Sequence, residues 1–365
     1  MQLRALSKLM RLSRLSGLMG VGCVPSLQGR ARVGLVLFIL IIFTSCSSDQ
    51  DEPEVKQTLI AFSANQQEQE VTRAGSTPLS DYTTYFRVWG FKNMSTGTQT
   101  VFPGYAVQWE TGSAQSSTTN TQGWDYILMA YPDQTPKYWD FEAQAYRFFA
   151  VAEMSATPGT WTTTTDTHSY TCTVNANNAE DAPFYTHLWY SNGNATDYPT
   201  RQFGQPVTLE FIKPFAEVRF MFTYSDPSAE PLPMLEDPDF RPVNSQRIAT
   251  AGEVTISFPI QGTEKQESWT STVDDTRYLL AFTVPKTLYT VLPVMGQNAY
   301  VLNVTVNGED KTCNVPAQYM KWSPGYRYTY LFKVNEDGGV ELDQVSIGVK
   351  NWEEGGNKEH IIYNW

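Results

Sequence analysis

The chain repeatedly alternates apolar and polar residues with a period of two. In residues 207–212, Val207, Leu209 and Phe211 fall on one side of the chain, with polar residues between them. Because successive side chains of a β-strand point to opposite faces, this pattern predicts a strand with one buried face. The same alternation recurs in residues 218–222, 254–258, 300–306, 326–334 and 345–349. These segments predict an all-β protein.

Turn sequences separate the alternating segments. Pro103-Gly104, Asn192-Gly193, Asn307-Gly308, Pro324-Gly325 and Asp337-Gly338-Gly339 lie between them. With 20 Tyr, 19 Phe and 10 Trp, the composition also favours strands. Many short strands with such turns predict β-sandwich domains. The Thr- and Ser-rich residues 112–122 and 160–167 are expected to form exposed loops.

Residues 225–242 are rich in proline and acidic side chains and match neither a strand nor a helix pattern. Proline cannot donate a hydrogen bond to a sheet, so this segment is expected to cross between domains or run over the surface. The predicted domains are therefore residues 57–225 and 226–365. Residues 198–206 are a competing boundary.

The N-terminal region has the pattern of an export signal. Residues 33–44 are apolar, follow basic residues and lead directly to Ser45-Cys46. A membrane-spanning helix needs about 20 residues, whereas this shorter stretch suits a signal peptide. We expect residues 1–45 to be removed and Cys46 to carry lipid. Residues 46–56, acidic and containing proline, are expected to form a tether.

The charge balance excludes nucleic acid as a partner. The whole chain carries a net charge of −12, and six of its 26 basic residues but none of its 38 acidic ones precede Cys46. The body after Cys46 thus has 20 basic and 38 acidic residues, a net charge of −18. Such a body repels phosphate backbones.

No motif predicts catalysis or a bound cofactor. The three histidines have no carboxylate or cysteine at metal-ligand spacing, so no metal site is expected. Sequence motifs of hydrolases, nucleotide-binding loops and zinc proteases are absent. The two cysteines of the body, Cys172 and Cys313, are predicted to be buried free thiols, although one disulfide is conceivable. We therefore predict a protein that is not an enzyme.

Several short motifs, taken in order, resemble the fimbrillins, the pilus subunits of Bacteroidales. The apolar Leu59-Ile60-Ala61-Phe62-Ser63 precedes Val71-Thr72-Arg73-Ala74-Gly75, which is similar to the TRAG-like processing site of that family. Further matches are Tyr138-Trp139 with residues 147–152, residues 211–220, residues 322–328 (WSPGYRY), and the ending that runs from Val349-Lys350-Asn351-Trp352 to Asn364-Trp365. The resemblance extends over the whole chain after Cys46.

The resemblance implies two transthyretin-like β-sandwich domains in tandem and assembly by strand exchange. In that family, an arginine-directed protease cuts at the TRAG-like site, here between Arg73 and Ala74. The strand that then leaves would be Leu59, Ile60, Ala61, Phe62 and Ser63. The candidate donor strand lies in residues 345–365 and includes Ile361, Ile362, Tyr363 and Trp365. Two simpler interpretations remain: Arg73 as an ordinary loop residue, and a C-terminal strand that pairs within its own domain.

The resemblance further implies a lipid-anchored protein on the cell outer membrane and in fimbriae, with other pilin subunits and a surface ligand or glycan as partners. Shaft, anchor and tip roles remain open. The alternative is a non-polymerising surface lipoprotein that binds glycans, because aromatic faces stack on sugars. Its candidate ligand platforms are Trp124, Trp139, Trp161 and Trp189.

Overall fold

The computed structural model describes residues 58–66, 79–109, 123–155, 158–194, 196, 201–228, 233–244, 248–274, 278–279 and 288–349. The predicted signal peptide, the tether and Cys46 lie outside these ranges. The same holds for the predicted cleavage residues Arg73 and Ala74 and for the predicted donor residues Ile361, Ile362, Tyr363 and Trp365.

The described residues form β-strands and three short 3₁₀ segments, Leu79–Asp81, Ala176–Asp181 and Ala317–Tyr319. The all-β prediction is confirmed. Within these ranges, no helix is long and apolar enough to cross a membrane. In chain order the strands are β1 (Phe62–Gln66), β2 (Tyr85–Met94), β3 (Gly97–Trp109), β4 (Trp124–Asp125), β5 (Ala145–Ala152), β6 (Thr160–Thr163), β7 (Thr167–Asn175), β8 (Phe184–Thr186), β9 (Trp189–Ser191), β10 (Val207–Ile212), β11 (Ala216–Tyr224), β12 (Leu235–Pro242), β13 (Ile248–Ala249), β14 (Ala251–Pro259), β15 (Ser268–Val273), β16 (Tyr278–Leu279), β17 (Leu288–Val291), β18 (Val294–Met295), β19 (Tyr300–Val306), β20 (Glu309–Val315), β21 (Lys321–Trp322), β22 (Tyr326–Val334) and β23 (Val340–Val349).

An eight-stranded sheet, called the large sheet below, has the order β1-β10-β8-β5-β2-β3-β4, with β9 also paired to β5. Every residue of its inner strand β5 is buried. Phe148 and Ala150 point into one apolar core, whereas Phe149 and Val151 point into another. The large sheet therefore has an apolar core on each face, which explains why β5 has a run of five consecutive apolar residues from Phe148 to Ala152.

A four-stranded sheet with the order β15-β14-β7-β6, called the hydroxyl sheet below, covers the second core. Its Phe258 ring stacks on Phe149 of the large sheet with centroids 4.2 Å apart. The other face carries Ser and Thr side chains, and the hydroxyls of Thr171 and Thr255 lie 2.8 Å apart. The prediction that residues 160–167 form a loop is wrong for residues 160–163, which form β6, and for Thr167, which begins β7; only residues 164–166 are an exposed connection. Residues 112–122, also predicted to be a loop, lie outside the described ranges. The threonines suit an exposed edge strand whose inward residue is Trp161.

Two further sheets, β17-β11-β22-β23 and β12-β19-β20, surround a third core, and the short strands form two pairs, β13-β16 and β18-β21. In this core the indole of Trp322 donates a hydrogen bond to the Tyr330 hydroxyl at 2.8 Å. The predicted Asn307-Gly308 turn joins β19 to β20, and both residues have positive φ, 52° and 83°. These angles fit the mirror-image turns typical of tight hairpins.

Residues 225–242 are not free of strand structure, which corrects the prediction for this segment. Leu235–Pro242 forms β12, an edge strand paired with β19. An edge strand tolerates proline because one side of its backbone needs no partner. The register shifts between Glu236 and Asp239, a bulge that contains Pro238 and leaves Asp237 at a φ of 46°.

Strand pairing crosses the boundary predicted between residues 225 and 226 in both directions. β11, which precedes it, pairs in parallel with β22 in the C-terminal part. β14, which follows it, pairs with β7 in the hydroxyl sheet. The pairing therefore does not divide the chain at residue 225, and the division into two domains stays a prediction.

Cys172 and Cys313 are both buried free thiols, as predicted. Burial raises the pKa of the Cys172 thiol to about 12, so this side chain stays protonated and unreactive. The described residues contain no cluster of three or more His, Cys, Asp or Glu side chains that could hold a metal ion.

Candidate functional site: the first strand and its groove

The first strand, β1, is short but deeply buried. Every second side chain points into the first core: Ile60, which lies two residues before the strand, and Phe62 and Ala64 within it. Ile60 and Phe62 have no exposed surface. Burial of an apolar side chain of this size stabilises a fold by about 1.5–3 kcal/mol. The segment is therefore held by apolar contacts as well as by its backbone.

Two separate partners bind the backbone of this segment. Residues before β1 pair with the loop around Tyr138, where Ile60 N–H donates to Lys137 O at 2.8 Å and Trp139 N–H donates to Thr58 O at 2.9 Å. β1 itself then pairs in parallel with β10, from Phe62 opposite Val207 to Gln66 opposite Phe211. β1 is the end strand of the large sheet, so its removal separates no other pair of strands.

An aromatic box holds Phe62. Its ring makes edge contacts with Phe102, Tyr126 and Phe148 at centroid distances of 5.1, 5.9 and 5.9 Å. The Tyr126 hydroxyl donates to Ile60 O at 3.1 Å and accepts from Lys137 N–H at 3.0 Å. Tyr126 thus joins the strand to the loop beside it. Without the strand, these rings would line an open apolar groove beside the unpaired edge of β10.

The observed strand differs in extent from the predicted one. The prediction was Leu59, Ile60, Ala61, Phe62 and Ser63, whereas β1 runs from Phe62 to Gln66 and Leu59 forms an isolated bridge with Tyr138. Ser63, also buried, donates to the Thr208 hydroxyl at 3.1 Å. Residues 345–349 of the candidate donor segment belong to β23, which pairs with β22. Within the described part of that segment, the backbone therefore pairs with a neighbouring strand of its own sheet.

The proposed glycan platforms are mostly internal. Trp124, Trp139 and Trp189 are buried in the first core, so these three do not offer an exposed face to a glycan. Trp161 is half-buried and packs on Trp89 with ring centroids 4.0 Å apart.

Sequence reasoning missed the roles of Tyr126 and of residues 137–139. Tyr126 follows the two-residue strand β4, and the Tyr138 bridge lies within a loop. Neither is long enough to produce a visible alternation. For Tyr126 the signal was the tyrosine itself, since a buried tyrosine hydroxyl needs a hydrogen-bond partner. Tyr138-Trp139 was noted as a family motif, but its contact with the first strand was not predicted.

Comparison with known proteins gives one family match and several structural ones. The model of a family described as fimbrillin-like matches residues 72–352. No curated protein shows a significant match. A fimbrial protein from Bacteroides vulgatus is 11% identical with a TM-score of 0.38, over 81% of this chain and 99% of that one.

Two other solved structures are similar to this chain. A protein from Bacteroides ovatus, provisionally assigned to cell adhesion, is 12% identical with a TM-score of 0.37, over 82% of this chain and 99% of its own. A fimbrial assembly protein from Parabacteroides distasonis is 9% identical with a TM-score of 0.28, over 76% and 91%. Because the family model covers most of the sequence, this chain belongs to the fimbrillin-like family.

Proposed function

We propose that this chain is a structural or adhesive subunit of a surface pilus, assembled by protease-triggered strand exchange. It is not an enzyme. After removal of residues 1–45, lipid on Cys46 anchors it to the outer membrane, and residues 46–56 act as the tether. Its strands belong to two transthyretin-like β-sandwich domains. The family membership and the buried end strand β1 support this proposal.

Cleavage between Arg73 and Ala74 makes the strand removable. Arg73 lies in the chain between β1 and Leu79, the buried first residue of the next 3₁₀ segment. Before cleavage, the burial of Ile60 and Phe62 and the hydrogen bonds to β10 oppose release. After cleavage no covalent bond joins the strand to the core, so another strand can replace it.

The replacement strand comes from the C-terminus of a neighbouring subunit. Ile361, Tyr363 and Trp365 alternate along that segment with Ile362 and Asn364. Such a strand supplies apolar side chains to the Phe62 box and backbone groups to β10, a mode of binding called β-augmentation. The observation that carries this proposal is β1 itself, whose residues Phe62, Ser63 and Ala64 are buried although the strand lies at the end of its sheet.

The test is limited digestion of the purified chain with an arginine-specific protease, followed by mass spectrometry and size-exclusion chromatography. We expect a cut after Arg73, loss of the fragment that carries β1, and growth of multimers that survive mild denaturant. The matched control is Arg73→Lys, which keeps the charge but removes the cleavage site and should stay monomeric.

A peptide with the sequence of residues 57–66 should block assembly of the cut protein, and the same peptide with Phe62→Asp should not. Multimers that form equally well from Arg73→Lys would contradict the role of Arg73. A cut protein that loses β1 and stays monomeric would contradict strand exchange and favour the non-polymerising glycan-binding lipoprotein.

A further inference from the structure

A cavity of about 430 Å³ lies outside the strand groove, where the large sheet, the start of β15 and the turn before β22 meet. Tyr185 and Glu210 line it from the large sheet, and Trp269 lines it from β15. Ser323 and Tyr326 close it from the turn that begins β22. Pockets that bind small molecules measure about 300–1,000 Å³, so this cavity suits a small ligand.

Basic side chains dominate the charged lining of the cavity. The lining contains three basic residues, Arg201, Lys265 and Lys321, and two carboxylates, those of Glu210 and Glu267. The Lys265 ammonium lies over the Tyr190 ring, 5.4 Å from its centroid. Lys321 has no side-chain hydrogen bond or ion pair among the described residues, whereas the Arg201 guanidinium lies only 3.9 Å from Glu210. In a chain with a net charge of −12, such a lining attracts an anion.

One of the two carboxylates, that of Glu267, already has two hydrogen-bond partners. Glu267 accepts hydrogen bonds from His187 Nδ1 at 2.5 Å and from Leu188 N–H at 2.8 Å. Burial alone would lower the pKa of His187, but the hydrogen bond to Glu267 and its charge outweigh burial, so the pKa is raised. Glu267 is thus already paired with His187, which leaves Arg201, Lys265 and Lys321 in the lining against the single carboxylate of Glu210.

Aromatic and uncharged polar groups complete the lining. Trp269 and Tyr326 both line the cavity, and both are only half-buried. Aromatic rings of this kind stack on the C–H faces of sugar rings. Gln266 and Ser323 add hydrogen-bonding groups that suit sugar hydroxyls.

We infer that this cavity binds a carboxylated sugar such as a hexuronic acid, with its carboxylate at Arg201, Lys265 and Lys321 and its ring on Trp269. The inference does not rest on strand exchange, because the cavity contains none of the residues that hold Phe62. The inferred ligand site is therefore present on the uncut subunit and does not depend on cleavage at Arg73.

The test is calorimetric titration of the purified, uncut chain with glucuronic acid, glucose and acetate. Glucose lacks the carboxylate and acetate lacks the ring, so each should bind at least roughly tenfold more weakly than glucuronic acid, a difference of about 1.4 kcal/mol. Added salt should weaken the binding of glucuronic acid.

Trp269→Ala and Lys321→Ala should each weaken glucuronic acid binding about tenfold, and Trp269→Phe should restore part of it. Matched controls are Trp161→Ala and Lys333→Ala. Trp161 lies at the opposite edge of the hydroxyl sheet in the same cross-strand row as Trp269, through Tyr170 and Ile256. Both control variants should bind normally, and thermal melting of all variants separates lost binding from lost folding.

Several results would overturn the inference. One is the absence of binding by glucuronic acid. Equal binding of glucose would remove the role of the basic side chains, and equal binding of acetate would reduce the cavity to a simple carboxylate site. A folded Trp269→Ala variant that binds normally would remove the role of the aromatic face.

Discussion

At the scale of single residues, His187 and His168 respond to pH in opposite directions. Glu267 raises the pKa of His187, so its stabilising effect is complete below the unfolded pKa of about 6.5 and is lost as pH rises through the folded pKa. Burial lowers the pKa of His168, so the folded state favours the neutral ring, and stability is lost as pH falls below about 6.5.

We therefore expect His187→Gln to cost more stability at acidic than at alkaline pH, and His168→Gln to cost less at acidic pH. Urea unfolding of each variant and of the unchanged chain, at pH values below and above the unfolded histidine pKa, measures this loss of free energy of unfolding. The two variants serve as controls for each other, since a general effect of acid would move both in the same direction. If the stability loss changed with pH in the same direction in both variants, the assigned pKa shifts would be contradicted.

The Tyr126 hydroxyl is the polar link between the first strand and its neighbouring loop. Tyr126→Phe leaves Lys137 N–H without its bond to that hydroxyl and removes the donor to Ile60 O. Leaving such a buried group unpaired costs about 1–3 kcal/mol. Tyr105→Phe is the control, because the Tyr105 hydroxyl contacts Thr135 at the exposed surface. An equal loss in both variants in urea unfolding would show that the buried position does not matter.

At the scale of elements, the alternation predicted the strands that have one buried face. In β19, Tyr300, Leu302, Val304 and Val306 are buried and the residues between them are half-buried, as expected. Pro103-Gly104 was wrongly predicted to be a turn. It lies within β3, where the register against β2 shifts, and the φ of +89° at Gly104 lets the backbone pass close to Trp89. A bulge and a turn require the same residues, so sequence alone does not separate them.

The sequence pattern could not predict the order of the strands in the sheets. The parallel pairing of β1 with β10 joins residues far apart in the chain. Alternation fixes which face of a strand is buried but not which strand lies beside it. The fimbrillin-like motifs predicted that the first strand has a role in assembly. The structure shows the contacts that hold this strand, namely the Phe62 box and the Tyr138 bridge.

Phe62 should stabilise β1 only while β1 is part of the fold. In the uncut chain, Phe62→Ala should cost about 3–5 kcal/mol, as for other buried phenylalanines. Ser63→Ala, which removes one hydrogen bond, should cost about 0.5–1.5 kcal/mol. After cleavage at Arg73 and loss of the strand, Phe62→Ala and the unchanged chain should unfold identically. A difference in urea unfolding that persists in the cut protein would show that β1 had stayed in place.

At the scale of the whole molecule, Arg147 connects β5 to the chain that follows β14. Its guanidinium donates to the Asn93 side chain, to Gly262 O at 2.7 Å and to Glu264 O at 3.2 Å, and it lies over the Tyr190 ring. No carboxylate lies within ion-pair distance of Arg147 in the described part of the chain. A buried arginine with these partners fixes the position of residues 262–264 relative to the large sheet.

The interleaved strands and Arg147 predict that the body unfolds in one cooperative transition. β14 and β15 follow the predicted boundary at residue 225 but pair within the hydroxyl sheet, so neither sequence half can keep its core when the other unfolds. Scanning calorimetry should give equal calorimetric and van't Hoff enthalpies.

Arg147→Lys replaces the planar fork with a single ammonium group and leaves carbonyls unpaired, which should cost more than about 1 kcal/mol and lower the temperature of the entire transition. Lys333→Ala, a change on the exposed side of β22, should leave that temperature unchanged. Two resolved transitions, with only one shifted by Arg147→Lys, would instead indicate independent domains that meet near residue 225.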